Sequence, residues 1–240
     1  MTTILIGIDD TDNAHSRGTG RLARLLSAEC ERRGMRPLGV TRHQFLVDPA
    51  IPYTSHNSGA CIAVETNDNI ESARFAFDFV AQRAAEGADP GVCIGQADVI
   101  EPDIMEFAKA ATHRIVKIQD AFSLAGEAPI ELRGLGGTSQ GVIGALASVG
   151  LRAYGNYGRY IDLPGLRELP RLVDIHCFRR MGITIEYKTN NHKANDNDIF
   201  DTLGWVRPRL IKSKPVLMVE WSEENNVWIP IDKSRKKPVL

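Results

Sequence analysis

The chain has 240 residues, 43% of them hydrophobic and 25% charged, the balance of a soluble globular protein built as one large α/β domain or one domain plus a smaller appendage. Its 29 basic and 30 acidic residues leave a net charge of −1, which argues against a dedicated nucleic-acid binder. No apolar run approaches ~18 residues, and the N-terminus lacks the basic start, apolar stretch and cleavage site of a leader, so a cytoplasmic protein that meets no membrane is expected.

In chain order, residues 3–9 (TILIGID) form an apolar strand that stops at a run of acids. From Thr19 to about Arg33 the residues Leu22, Leu25, Leu26 and Cys30 recur at helical spacing, and Gly34 ends that helix. Residues 37–47 and 60–66 read as strands, joined by a loop rich in Pro, Asn, Ser and Gly. Residues 69–87 read as one amphipathic helix, with Asn69 as its cap and Gly87 as its stop. A strand (91–99), a helix with Pro102 in its first turn (101–113) and another strand (114–119) follow. The glycine-rich stretch 133–141 then runs into a small-residue helix at 142–150.

After residue 165 the texture changes to a strand at 182–189, a polar connection at 190–202 and a hairpin of 215–223 with 225–232. The expected organisation is a layered α/β domain over 1–165 and a small β-rich appendage over 166–240. Residues 206–240 carry eight basic residues against four acidic ones. The tail DKSRKKPVL reads as a solvated terminus, with phosphate contact as the alternative. Cys30, Cys61, Cys93 and Cys177 are scattered without a CxxC pair, which argues against a zinc site or a disulfide framework and predicts buried free thiols.

Four stretches carry chemistry. Asp9, Asp10 and Asp12 crowd the end of the first strand, and adjacent carboxylates repel unless they share a cation. Magnesium, held by one or two carboxylates plus phosphate oxygens, fits that pattern; an Asx turn at Asp12 and Asn13 is the plainer alternative. In SRGTGRLA (16–23), Arg17 and Gly18 lead into a helix whose first amides can meet an anion. Thr19 there is either a helix cap or a hydroxyl able to accept or relay a phosphoryl group, and spacing does not choose.

In RGLGGTSQG (133–141), Val142 and Ile143 follow where a Walker motif needs Lys and Ser or Thr. The backbone of Gly134, Gly136, Gly137 and Gly141, the hydroxyls of Thr138 and Ser139 and the cation of Arg133 could still cradle a phosphate. A flexible turn before a tightly packed helix is the alternative. The loop DPAIPYTSHNSGA (48–60) presents Tyr53, Ser55, His56 and Asn57 as candidate substrate contacts.

Together IGIDDTD, SRGTGRLA, DPAIPY and GVIGALASVG resemble the tRNA-Ile agmatinylcytidine synthetase (TiaS) family over residues 3–152, and residues 201–217 are weakly similar to the start of its ferredoxin-like domain. The resemblance implies a layered mixed sheet with flanking helices, a kinase-type domain, followed by a small ferredoxin-like appendage. It also implies ATP and magnesium as cofactors, catalytic roles for Asp9, Asp10 and Thr19, and metal ligation by Asp9, Asp10 and Asp12. In that family a cytosine carbonyl oxygen is phosphorylated and agmatine displaces the phosphate.

Where the family carries basic residues and Gly-Asn-Gly, this chain reads Thr54, Ser55, His56, Asn57, Ser58 and Gly59. Without the family's OB-fold and zinc-ribbon domains, the acceptor expected here is a small heterocycle or amide, attacked by an amine. A minimal tRNA- or nucleotide-modifying enzyme and a non-catalytic nucleotide-binding regulatory module are the alternatives. The oligomeric state stays open, a homodimer included.

Overall fold

The computed structural model describes residues 1–51, 56–188 and 193–231. The first half is a sheet between two helical layers. Strands β1 (Thr2–Asp9), β2 (Arg36–Gln44), β3 (Ser58–Thr66), β4 (Gly91–Gln96) and β5 (Ile130–Gly134) lie in the order β5-β4-β1-β3-β2. Every neighbouring pair among them is antiparallel. Helices α1 (Thr19–Arg32) and α2 (Phe75–Ala81) cover one face; α3 (Pro102–Ala110), α4 (Ile118–Glu127) and α5 (Gly141–Tyr154) cover the other.

The period of two along β1 serves both faces. Ile4, Ile6 and Ile8 enter the core beneath α1 and α2, whereas Leu5 enters the core beneath α3 and α5. Gly7 faces α5 with no side chain, and a Cβ there would lie 2.1 Å from the Ala145 carbonyl oxygen. Gly91 on β4 is equally tight, its Cβ position 2.1 Å from the Gly141 carbonyl carbon. The glycines and alanines of α5 therefore let helix and strand backbones touch.

Strand β6 (Arg159–Asp162) extends the sheet from β2 into the second half. There β7 (Leu172–Asp174), α6 (Ile175–Arg180), β8 (Thr184–Tyr187), β9 (Ile199–Asp201), β10 (Arg209–Ile211), β11 (Lys214–Ser222) and β12 (Val227–Pro230) follow in sequence. The sheet order runs β6-β10-β11-β12-β9-β7, with β8 joined to β11. β11·β8 and β12·β9 are parallel, so the sheet as a whole is mixed. A third core of Tyr160, Phe178, Phe200 and Trp228, among others, fills this half.

Several elements differ from the sequence reading. Residues 69–87 do not form one helix; a 3-10 turn at Ile70–Ala73 precedes α2, which ends at Ala81. Residues 114–119 are not a strand, because Ile115 and Val116 line a cleft and Ile118 already begins α4. Arg133 and Gly134 belong to β5, which pairs with β4, rather than to a free loop. The connection expected over 190–202 contains β9, and α6, capped by Asp174 onto the Cys177 amide, was not anticipated. Cys30, Cys61 and Cys93 are buried and Cys177 is half-buried, all four as free thiols. Among the described residues, no helix is long and apolar enough to cross a membrane.

The glycine contacts give a contrast in stability. Gly7→Ala should destabilise the protein by about 3 kcal/mol or more, because backbone atoms must move to admit the methyl group. Gly126→Ala, in α4 with nothing within 4 Å of the added Cβ, should stabilise it by about 0.5–1 kcal/mol. Denaturant midpoints of the two variants check both signs.

Candidate functional site

Two recesses meet at the end of β1. The first, about 180 Å³, is lined by Asp9, Asp10, Asp12, His56, Asn57 and the start of α5, with Phe45, Ile115 and Ile143 as apolar wall. The second, about 430 Å³, is lined by Arg17, Gly18, Thr19 and further arginines. Asp12, His56 and Ser58 line both. One lobe is thus acidic and partly apolar, and the other is basic.

The acidic lobe owes its character to α5. Asp9 packs against Gly144, where a Cβ would fall 1.7 Å from the carboxylate oxygen Oδ2. Burial, with the charges of Asp10 and Asp12 added, pushes the Asp9 carboxyl up to about 7 despite a backbone hydrogen bond. Asp10 has a left-handed backbone (φ 50). Its carboxyl is also raised, first by burial and then by the charges of Asp89 and Asp12.

Thr19, in the basic lobe, is hydrogen-bonded to Asp12, which lines both lobes. Its hydroxyl donates to Asp12 Oδ1 at 2.8 Å and accepts from the Thr11 hydroxyl at 3.0 Å. The cap position of α1 is Gly18, and no side chain caps it, so Thr19 is not the helix cap that one sequence alternative supposed. Nor does Asp12 make the Asx turn; Asn13 does, its Oδ1 accepting from the His15 amide at 3.0 Å.

The glycine-rich loop carries an anion already. The Asp89 carboxylate accepts from the amides of Thr138 (3.0 Å), Ser139 (2.6 Å) and Gln140 (3.0 Å) and from the Thr138 hydroxyl (2.6 Å). Burial alone would raise the Asp89 carboxyl, but these hydrogen bonds outweigh it and hold it below the usual range. The amides expected to cradle a phosphate therefore bind a side chain of this chain. Gly141 lines the acidic lobe, whereas Arg133, Gly134, Gly136, Gly137, Thr138 and Ser139 line neither lobe. Arg133 instead pairs with Glu131 at 3.0 Å and lies over the Phe77 ring.

The structure places His56 at the junction of the lobes and Asn57 beside it, with the Asn57 amide donating to the Leu46 carbonyl at 2.7 Å. Tyr53 and Ser55 lie outside the described residues. Among the described residues, no three His, Cys, Asp or Glu side chains are grouped to hold one metal ion. Asp9, Asp10 and Asp12 thus do not form an all-protein ligand set. The residues missed from sequence are Asp89, Arg42, Arg114 and Trp205; Arg207 belongs to the basic 206–240 segment for which phosphate contact was an alternative, and Arg21 and Arg24 share α1.

The mixed α/β sheet flanked by helices is a fold this chain shares with solved structures of a tRNA-modifying enzyme, one of them bound to ATP. No protein-family model matches the chain. Over 152 residues, 60% of this chain and 35% of the relative, it is 31% identical to the 2-agmatinylcytidine synthetase TiaS of Pyrococcus horikoshii, which acts on an isoleucine tRNA.

A crystal structure of TiaS with its tRNA and ATP matches with a TM-score of 0.54 and 26% identity, over 62% of this chain and 36% of that one. A complex of TiaS with tRNA, AMPCPP and agmatine matches with a TM-score of 0.52 and 25% identity over the same shares. The chain is a partial relative of TiaS, and it spans about a third of the length of these relatives.

Two outcomes follow from the electrostatics. The folded Asp9 carboxyl titrates near 7 against 3.8 for an ordinary aspartate, so the native state keeps a proton that the unfolded chain has released. Stability should fall as pH rises from about 4 to about 7 and then level off, by on the order of 2–4 kcal/mol. Asp9→Asn should remove that fall, as denaturant midpoints from pH 4 to pH 8 would show. Asp89→Ala, which leaves the loop amides without their acceptor, should cost about 2–3 kcal/mol; a loss below about 0.5 kcal/mol would mean that the loop is held by other contacts.

Proposed function

We propose that this chain is an ATP-dependent, base-activating part of a tRNA-modifying system, working by phosphoryl activation of a carbonyl oxygen. The observation that carries the reading is the Thr19–Asp12 hydrogen bond of 2.8 Å, placed where the acidic and basic lobes meet. The similarity to TiaS favours a nucleic-acid acceptor over the small-molecule acceptor expected from the sequence.

The chemistry required is displacement of a poor leaving group. A carbonyl oxygen becomes a good one once it takes the γ-phosphoryl group of ATP: the bond from the γ-phosphorus to its bridging oxygen breaks, and ADP departs. An amine then attacks the activated carbon, the carbon–oxygen bond breaks, and inorganic phosphate leaves. The hydrogen bond from the Thr19 hydroxyl to Asp12 supports a role for Asp12 in taking that proton if the Thr19 oxygen receives the phosphoryl group in transit.

The acidic lobe suits the two cations of such a reaction. Asp9 and Asp10 are crowded carboxylates that repel each other, and they would hold magnesium with phosphate oxygens completing its shell. Magnesium bound there would neutralise charge on the transferred group. The apolar wall of Phe45, Ile115 and Ile143 beside these acids fits an alkyl amine.

The test is incubation with ATP labelled in its γ-phosphate, magnesium and agmatine, with total tRNA in one arm and a metabolite pool in the other. Consumption of label that depends on tRNA is the expected result. Thr19→Val and Asp12→Asn should each lower it by about 10²-fold or more. Consumption that depends only on metabolites would restore the small-molecule acceptor. Release of AMP in place of ADP would replace phosphorylation by adenylylation, and binding of ATP without turnover would leave a regulatory module.

A further inference from the structure

We infer that the basic lobe is a track for the phosphate backbone of a single nucleic-acid strand, and that Trp205, from the second half of the chain, holds the far wall of this track in place. For its substrate class the inference rests on the tRNA reading above.

The near wall is the start of α1 and the segment before it. Arg21 and Arg24 stand on α1 and Arg17 precedes the helix, and the three line the groove together. A nucleic-acid strand carries one phosphate per ~3.4 Å of its axis, so three cations along one wall answer about three phosphates. The far wall is Arg42 from β2 and Arg207 from the segment after β9.

These cations are gathered at a cost. Burial and then the like charge of Arg207 disfavour the charged form of Arg42, against the opposite charge of Asp12. Burial and then Arg167 disfavour that of Arg24, against Asp162. Among the described residues, none of the five groove arginines makes an ion pair within 4.0 Å, although other arginines of the chain do. The bond formed by Arg42 goes to a neutral group, the Ser58 hydroxyl, at 2.9 Å. A polyanion in the groove relieves the repulsion and supplies the opposite charge that offsets burial of the cations.

Trp205 sits on a turn fixed from several sides. Leu203 (φ 54) and Gly204 (φ 84) are consecutive left-handed residues, a conformation that a leucine keeps only when its surroundings enforce it. Here Asp201 is gripped by Arg171 at 2.9–3.1 Å and accepts from the Leu203 amide at 2.7 Å. The Thr202 hydroxyl donates to the Pro170 carbonyl at 3.2 Å, and the Trp205 amide donates to the Thr202 carbonyl at 3.1 Å. The indole, 38% exposed, lies under the guanidiniums of Arg207 at 4.3 Å and Arg167 at 4.9 Å. Cation–π contact thus orients Arg207, which closes the groove, and this makes Trp205 a positioning residue.

The experiment is a fluorescence-anisotropy titration of a labelled single-stranded RNA of about ten nucleotides, without ATP, from 50 to 300 mM salt. With about three phosphates engaged, log affinity should fall against log salt with a slope near −2. The double variant Arg21→Gln/Arg24→Gln should bind about 25-fold more weakly at 0.1 M salt, with a slope shallower by about 1.4. Trp205→Leu should weaken binding by about fivefold, and Trp205→Phe, which keeps a ring under the guanidiniums, should restore most of it. Thermal midpoints close to that of the parent establish that the variants are folded.

Unchanged RNA affinity and slope in the double variant would overturn the track. So would a parallel ATP titration in which the double variant loses ATP affinity while RNA affinity stays, because the groove then belongs to the nucleotide. A Trp205→Phe variant as weak as Trp205→Leu would overturn the positioning role. Binding is read here without turnover, so an inactive enzyme defeats the reading of the preceding subsection and leaves this one intact.

Discussion

The site depends on backbone touching backbone. Helix α5 crosses β1 and β4 through Gly7, Gly91, Gly141 and Gly144, at distances where one added carbon would collide with main-chain atoms or with the Asp9 carboxylate. That approach brings the first turn of α5 alongside three acids and removes the space in which water would solvate Asp9. It also brings the loop before α5 within reach of Asp89, which completes the turn with its own charge. Weakened acidity at Asp9, the shape of the acidic lobe and the closed loop all trace to this one contact.

Much of this was legible in the sequence where periodicity and packing agree. β1, α1, β2, β3 and α5 each carry an apolar pattern that matches the face they bury, and the acids and Thr19 were marked by position alone. Elements with little to bury were not legible. α4 fully buries only Ala121 and leaves Phe122 exposed, so its stripe of Ile118, Ala121 and Leu124 is short and easily overlooked. β5 is five residues on a sheet edge, with its charged Glu131 and Arg133 paired to each other. The split in residues 69–87 follows from the 3-10 turn that Asn69 caps, which propensity does not foresee.

The glycine-rich loop shows a different limit. Its composition is that of an anion-binding loop, and it does bind an anion, but the anion is Asp89, some fifty residues earlier in the chain. A pattern of amides specifies the charge it accepts and not the molecule that brings it. The basic groove shows the converse. Arg21 and Arg24 are close together on α1, with Arg17 just before it, whereas Arg42 and Arg207 join them only because β2 and the turn after β9 fold against that helix.

The origin of the Asp9 shift also decides what can tune it. Burial is its first cause, ahead of the neighbouring charges, and burial is not screened by ions. Ionic strength and distant surface charges then have little purchase on this carboxyl. Its acidity changes when the helix above it moves, so a ligand that lifts or lowers α5 acts on the proton at Asp9 as directly as a change in the surrounding solution.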